Sequence, residues 1–190
     1  MDILLIRHGQ TSWNIEGRLQ GRTDIPLNKE GILQAELCAQ FLKTVNLTTL
    51  ISSPLSRAKQ TAEIIAGACH LPIVEMDAFR EKSFGNAEGL TAMERQEKFT
   101  IRPFPNEEQF ENLQTRIFEG LHEIAQTYQN EKIAVVTHGG VINCMLAVIS
   151  NGKVGTNKTI LHNASISTIR YEHNQFSIID VNNIDYLATV

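Results

Sequence analysis

An arginine, a histidine and a glycine, Arg7-His8-Gly9, interrupt the chain just after a short apolar run at residues 2–6 and just before a polar loop at residues 10–22. A strand over the apolar run would fix the backbone as far as Arg7. It would thereby deliver a cation and an imidazole rigidly to the carboxyl edge of an open α/β sheet, where ligands bind in such folds. Gly9 is expected to leave room for a ligand to come close. Two more junctions of this kind follow. A strand at 49–52 runs into Ser53-Pro54 and a helix bearing Arg57, and a β-branched strand at 132–137 runs into His138-Gly139-Gly140. One sheet edge would then gather two arginines and two histidines. Phosphoryl transfer asks for that set, because it needs in-line attack and neutralisation of the equatorial oxygens, and a guanidinium fork matches two of those oxygens at once. Arg7 and Arg57 fit the role. A nucleophilic His8 must present one unprotonated ring nitrogen, so its other nitrogen needs an acceptor, expected to be a backbone carbonyl. His138 is expected in the opposite state, an imidazolium favoured by the phosphate beside it. The N-termini of the helices after Pro54 and Gly140 would add N–H groups and positive dipole ends to the same edge. No carboxylate cluster of the kind a magnesium-dependent phosphatase carries is evident, so neither a metal nor another cofactor is expected.

The elements that must position these groups are readable from periodicity. Asn28 is a candidate N-cap for a helix whose apolar residues Ile32, Ala35, Leu37, Cys38, Phe41 and Leu42 recur at helical spacing. A second helix spans 55–69 and is stopped by His70-Leu71-Pro72. A third strand is expected at 73–76, an ordered loop at 79–90, a short helix at 91–99 and the longest helix at 107–129. The acidic run 107–111 would sit in the first turn of that helix, where negative charge suits the dipole. An apolar helix at 141–149 follows, and the runs 165–171 and 176–181, joined at His173-Asn174, predict an antiparallel hairpin at the sheet edge. The economical fold is a three-layer α/β/α domain over residues 1–190, with a mostly parallel sheet and an antiparallel edge hairpin.

Composition narrows the classes further. With 190 residues, 42% hydrophobic and 20% charged, the chain is that of an ordinary globular protein. A formal charge of -4 without a basic stripe argues against nucleic-acid binding. Cys38, Cys69 and Cys144 are odd in number and scattered, which predicts reduced thiols in a cytoplasmic protein. No stretch approaches the roughly 20 apolar residues of a membrane span, so no membrane partner is expected. His70, His122, His162 and His173 read as surface or structural histidines, and Trp13 as loop packing. For Arg18 and Arg22, steering of anions and simple solvation are equally open.

Taken together, Arg7-His8-Gly9 with Thr11 and Trp13-Asn14, Gln20-Gly21, Ser52-Ser53-Pro54-Leu55-Ser56-Arg57-Ala58 with Gln60-Thr61-Ala62, Arg80-Glu81, Gly85, Glu88-Gly89 and Thr137-His138-Gly139-Gly140 resemble the histidine phosphatase superfamily, the phosphoglycerate mutase-like proteins. The match runs nearly the whole chain in the family's order. The resemblance implies that His8 becomes phosphohistidine, that Arg7, Arg57 and His138 form the phosphate pocket, and that Glu81 is the proton donor. It also implies that Asn14, Gln20, Gly21 and the backbone of Gly139 line the substrate phosphate. Glu88, in the same glycine-containing loop, is the rival acid. A Glu in that role must protonate the leaving oxygen and then activate water, so partial burial should raise its pKa.

The expected activity is metal-independent hydrolysis of small phosphomonoesters through phosphohistidine. Mutases of the family carry a longer insert and tail, and the segment between Gly89 and the longest helix is short here, which predicts an open pocket and hydrolysis. Where relatives often read Gly-Glu-Ser at the start of the long helix, this chain has Glu107-Glu108-Gln109. The alternatives are a phosphoglycerate mutase and a non-catalytic phosphate-binding or interaction module. A monomer and a homodimer are both compatible with the edge hairpin.

Overall fold

The computed structural model describes residues 1–129 and 131–188, so the last two residues of the expected domain lie outside it. In chain order the elements are β1 (Asp2–Arg7), α1 (Ser12–Ile15), α2 (Lys29–Leu42), β2 (Thr49–Ser52), α3 (Ser56–Cys69), β3 (Ile73–Glu75), α4 (Ala92–Lys98), α5 (Phe110–Thr127), β4 (Lys132–Thr137), α6 (Gly139–Ile149), β5 (Ile166–Glu172) and β6 (Gln175–Asn183). The strands form one sheet in the order β3-β2-β4-β1-β5-β6. Its first four members pair in parallel, while β5 runs antiparallel to β1 and β6 antiparallel to β5.

The layering follows from the two-residue period of the strands. Ile3 and Leu5 of β1, Ile51 of β2, and Ile133 and Val135 of β4 face one core. Leu4, Ile6, Leu50, Ala134 and Val136 face the other. The first core is closed by Leu113, Ile117, Leu121 and Ile124 of α5 with Val141 and Met145 of α6. The second is closed by Cys38, Ala39 and Leu42 of α2 with Ala58, Ala62 and Ile65 of α3, whose alanines let these two helices approach the sheet and each other. A sheet buried on both faces by helices is the three-layer α/β/α arrangement, and the hairpin lies at its edge as expected.

Local signals account for most element ends. Asn28 caps α2 by accepting from the Gly31 N–H. His70 ends α3 in the left-handed conformation at φ 55°. The strand expected at 73–76 stops one residue early, and α6 starts two residues before the expected 141, so Gly139 and Gly140 form its first turn. The loop 10–22 holds the single turn α1, closed by a reciprocal capping box between Thr11 and Asn14.

Three expectations are corrected by packing. Ile32 and Phe41 lie outward at 42% and 38% exposure; Gly31 and Ala39 take their places on the inner face of α2. Gly9 is not kept small for a ligand, because a Cβ there would stand 2.3 Å from the Gly31 carbonyl oxygen, so α2 itself needs the space. Glu107 and Glu108 precede α5, and only Glu111 lies in its first turn. Glu107 is buried against Lys82, Arg102 and the Phe104 N–H, while Glu108 pairs with Arg22 and Arg116, so both are loop anchors rather than dipole partners.

Candidate active site

The strands β2, β4 and β1 are neighbours, so their carboxyl ends bring three loops to one place. His8 extends β1 by one residue, its N–H donating to the Thr137 carbonyl at 3.0 Å, and Ser53 extends β2 through Val136 in the same way. Arg7, His8, Arg57 and Glu81 line one cavity of about 380 Å³, together with Asn14, Gln20, Gly21 and Gly139. His138 is fully buried behind that surface, with its ring centroid 5.2 Å from that of His8. All nine residues expected at the site are therefore brought together.

His8 has an assigned tautomer. Its Nδ1 lies 2.7 Å from the Gly9 carbonyl oxygen, which can only accept, so Nδ1 carries the proton and Nε2 the lone pair. The backbone around it is held from both sides: Gly9 N–H donates to Thr61 Oγ1, whose hydroxyl donates to the Arg57 carbonyl, and Asn163 donates to the His8 carbonyl. Burial pushes the His8 pKa well below its ordinary 6.5, and the Arg57 and Arg7 guanidiniums push it the same way. The free base is thus the resident form near neutrality.

Arg57 is completely buried on α3 and donates through Nη2 to the Gly21 carbonyl at 2.7 Å and through Nη1 to the Thr23 carbonyl at 3.0 Å. Arg7 donates through Nη1 to the Leu161 carbonyl. These contacts fix each guanidinium plane while leaving its Nε without a protein partner among the described residues. The forks are therefore less open than the sequence suggested, and Nε with the remaining terminal hydrogens is what each can offer to an anion. The side-chain carbonyls of Asn14 and Gln20 are likewise engaged, the first accepting from the Thr11 N–H and the Asn163 amide and the second from the Thr11 hydroxyl, which leaves their NH₂ groups to face an anion.

The imidazolium expected at His138 depends on a neighbouring phosphate, and the protein's own groups work against it. Burial, then Arg57, His8 and Arg7, hold its pKa well below 6.5, so the protein by itself keeps this ring neutral. Its Nε2 lies 2.7 Å from Ser53 Oγ, and its Nδ1 is buried without a partner among the described residues. The negative charge of a phosphate bound beside it would act in the opposite sense and favour the imidazolium form. The two helix N-termini are also partly spoken for: Asp24 accepts from the Ser56 N–H of α3, and Glu81 accepts from the Gly140 N–H of α6.

Glu81 and Glu88 separate clearly. The Glu81 carboxylate is buried in the cavity wall and accepts from the N–H groups of Lys82 and Gly140 at 2.9 and 3.1 Å. Burial raises its pKa above 4.5 despite those hydrogen bonds and the nearby Arg57 and Arg7. Glu88 does not line the cavity; it accepts from the N–H groups of Arg22, Thr23 and Phe84 and from the Thr23 hydroxyl, which makes it the anchor of the loop around Gly21. Sequence reasoning passed over Ser53, Thr61 and Asn163 as site supports; Ser53 and Thr61 stand inside motif strings quoted above, but nothing local marks their long-range partners.

The structural histidines are placed as expected, with His122 packed on the rings of Tyr171 and Phe176 and His162 against Asn182. Arg22 is tied to Glu108, whereas Arg18 lines the cavity mouth while paired with Glu16 and Glu94. Among the described residues no helix is long and apolar enough to cross a membrane, and no cluster of three or more His, Cys, Asp or Glu could hold a metal ion.

Residues 3–184 match the sequence model of the histidine phosphatase superfamily, branch 1. An uncharacterized phosphatase, PhoE, of Bacillus subtilis is 41% identical over 98% of this chain and 96% of its own length. A metal-independent phosphoserine phosphatase of Arabidopsis thaliana is 32% identical over the whole chain and 84% of its own length. Probable phosphoglycerate mutases are also relatives, at 33% identity. The solved structure of Bacillus stearothermophilus YhfR superposes with a TM-score of 0.89 at 27% identity, covering 98% of both chains. With the match spanning the sheet, both helical layers and every strand end at the site, the chain belongs to the histidine phosphatase superfamily and has the phosphoglycerate mutase-like fold.

Proposed function

We propose that the protein is a metal-independent phosphomonoesterase that works through a phosphohistidine on His8. The observation that carries this reading is the Nδ1–H donation to the Gly9 carbonyl, which leaves His8 Nε2 as a lone-pair nitrogen in a cavity lined by the Arg7 and Arg57 guanidiniums and the buried Glu81 carboxyl group. Nε2 attacks phosphorus in line as the ester P–O bond breaks. Protonated Glu81 gives its proton to the departing alkoxide, and the resulting carboxylate then takes a proton from the water that breaks the P–N bond, releasing inorganic phosphate. Arg7, Arg57 and His138 stabilise the charge on the transferring group, and the NH₂ groups of Asn14 and Gln20 with the backbone at Gly21 and Gly139 complete the phosphate contacts. The substrate is a small phosphomonoester, and a cytoplasmic location belongs to the same proposal, in keeping with the free thiols of Cys38, Cys69 and Cys144.

The test is isotopic labelling of the enzyme during turnover of a ³²P-phosphomonoester in EDTA. Acid-labile, base-stable label on the wild type and none on His8→Ala is the expected result, with turnover almost abolished in the variant. Strict dependence on added magnesium would reject the reading. Isomerisation of 3-phosphoglycerate in the presence of a bisphosphoglycerate primer, if faster than phosphate release, would instead identify a mutase.

A further inference from the structure

Glu81 stands in a stretch without helix or strand, between the 3₁₀ turns Asp77–Phe79 and Gly85–Ala87. Its position therefore has to be set by contacts that no ladder supplies. Its carbonyl oxygen accepts from Arg116 Nη2 at 3.2 Å and from Arg22 Nε at 3.5 Å, and Arg116 Nη1 also takes the Ala78 carbonyl at 2.7 Å. Both guanidiniums converge on one carboxylate. Glu108 accepts from Arg116 Nε at 2.8 Å and Nη2 at 3.1 Å and from Arg22 Nη2 at 3.1 Å. It also accepts from the Ser83 N–H, and its own N–H donates to the Ser83 carbonyl. The side chains of Glu108 and Arg116 are only 10% and 19% exposed, so this is not a solvated surface pair.

Resting on the reading of Glu81 as the acid, we propose that Glu108 is a positioning residue that acts through Arg116 and Arg22 to hold Glu81 over the leaving oxygen. The clamp spans the backbone at Ala78, Glu81 and Ser83, which brackets the acid on both sides. Arg116 reaches it from α5, and Arg22 from the loop that also carries Gln20 and Gly21. Arginine is required at 116, because one planar group must meet a carboxylate and two carbonyls at once, which an ammonium cannot do. With the clamp undone, the backbone of Glu81 keeps only its neighbours' tethers, and a drift of about 1 Å is enough to cost on the order of 10²-fold in a positioned catalytic step.

The experiment compares kcat/KM for two esters, since that constant covers only steps up to phosphohistidine formation. p-Nitrophenolate leaves without needing a proton, whereas the alkoxide of glycerol phosphate must be protonated as it departs. Glu108→Gln and Arg116→Lys should each lower kcat/KM for glycerol phosphate by roughly 10- to 100-fold and that for p-nitrophenyl phosphate by less than about threefold. Glu108→Asp, which keeps the charge, should recover part of the loss. Glu81→Gln in parallel should show the larger loss of about 10²- to 10⁴-fold on the alkyl ester alone. If Glu81→Gln shows no such selectivity, the acid assignment fails and this inference goes with it. If Glu81→Gln is selective while Glu108→Gln and Arg116→Lys lower both esters by the same factor, or neither, Glu108 is only a structural residue and the proposal is overturned. Should Glu108→Gln not fold, Arg116→Lys and Arg22→Gln carry the same comparison.

Discussion

Gly140→Ala separates the position of the acid from the stability of the fold. A Cβ built on Gly140 stands 2.5 Å from Glu81 Oε1 and 3.2 Å from its Cδ, whereas an ordinary contact begins near 3.4 Å. The methyl group therefore displaces the nearer carboxylate oxygen by about 0.9 Å, with the far end of a flexible side chain absorbing the clash instead of backbone. The Gly140 N–H that donates to Oε2 keeps its place in α6 while its acceptor leaves. Helix propensity works in the other direction, since alanine in a helix is favoured over glycine by up to about 1 kcal/mol. The lost hydrogen bond costs a similar amount, so the net change in stability should stay within about 1 kcal/mol, or roughly 2–4 °C in Tm for a chain of this size. Catalysis should suffer far more: a displacement near 1 Å predicts a fall on the order of 10²-fold in kcat/KM for alkyl phosphates. Thermal melting and steady-state kinetics on the same preparation decide the matter. A variant that melts within a few degrees of wild type and still turns over alkyl phosphates at wild-type efficiency would refute the idea that the Glu81 carboxyl position matters.

Three further outcomes follow from the same contacts. Ser53→Ala removes the partner of the buried His138 Nε2 and should cost about 1–3 kcal/mol in urea-derived stability, with a larger relative loss of turnover than of folding. Glu88→Ala leaves the N–H groups of Arg22, Thr23 and Phe84 without an acceptor; it should lower kcat/KM for aryl and alkyl phosphates by the same factor, and alkyl-selective loss would make Glu88 the acid after all. The third concerns pH. His8 and His138 both have folded pKa values depressed well below 6.5, so as pH falls below 6.5 the unfolded chain binds protons that the folded protein refuses. Stability is then lost with falling pH at on the order of 1.4 kcal/mol per pH unit for each ring, until the folded pKa is reached. Denaturant melts between pH 6.5 and 5 should show stability falling with pH, less steeply than the two rings alone would give because the raised Glu81 pKa acts in the opposite sense; inorganic phosphate should reduce the fall by favouring the imidazolium of His138, and a flat profile in a Glu81→Gln background would contradict the burial argument.

The parts of this protein legible in its sequence are those whose causes are local. Continuous apolar runs at 2–6 and 132–137, the cap at Asn28, and the glycine and proline punctuation after each strand state where elements begin and end, and strand ends are where an α/β fold places its chemistry. Arg7, His8, Arg57 and His138 could therefore be named together before any coordinates, and the backbone carbonyl expected to accept from His8 proves to be that of its neighbour Gly9. What the chain alone could not reveal depends on residues far apart in sequence meeting in space. Gly9 is small because Gly31 packs on it, and the Arg57 fork is half occupied by the carbonyls of Gly21 and Thr23. The helix N-termini meet Asp24 and Glu81, and Glu108 joins two arginines to the backbone of the acid instead of sitting on a helix dipole. The charge on His138 belongs to the same class, because desolvation is set by everything packed around a ring, and only the assembled sheet and its helices determine that the protein holds this imidazole neutral until an anion supplies the opposing charge.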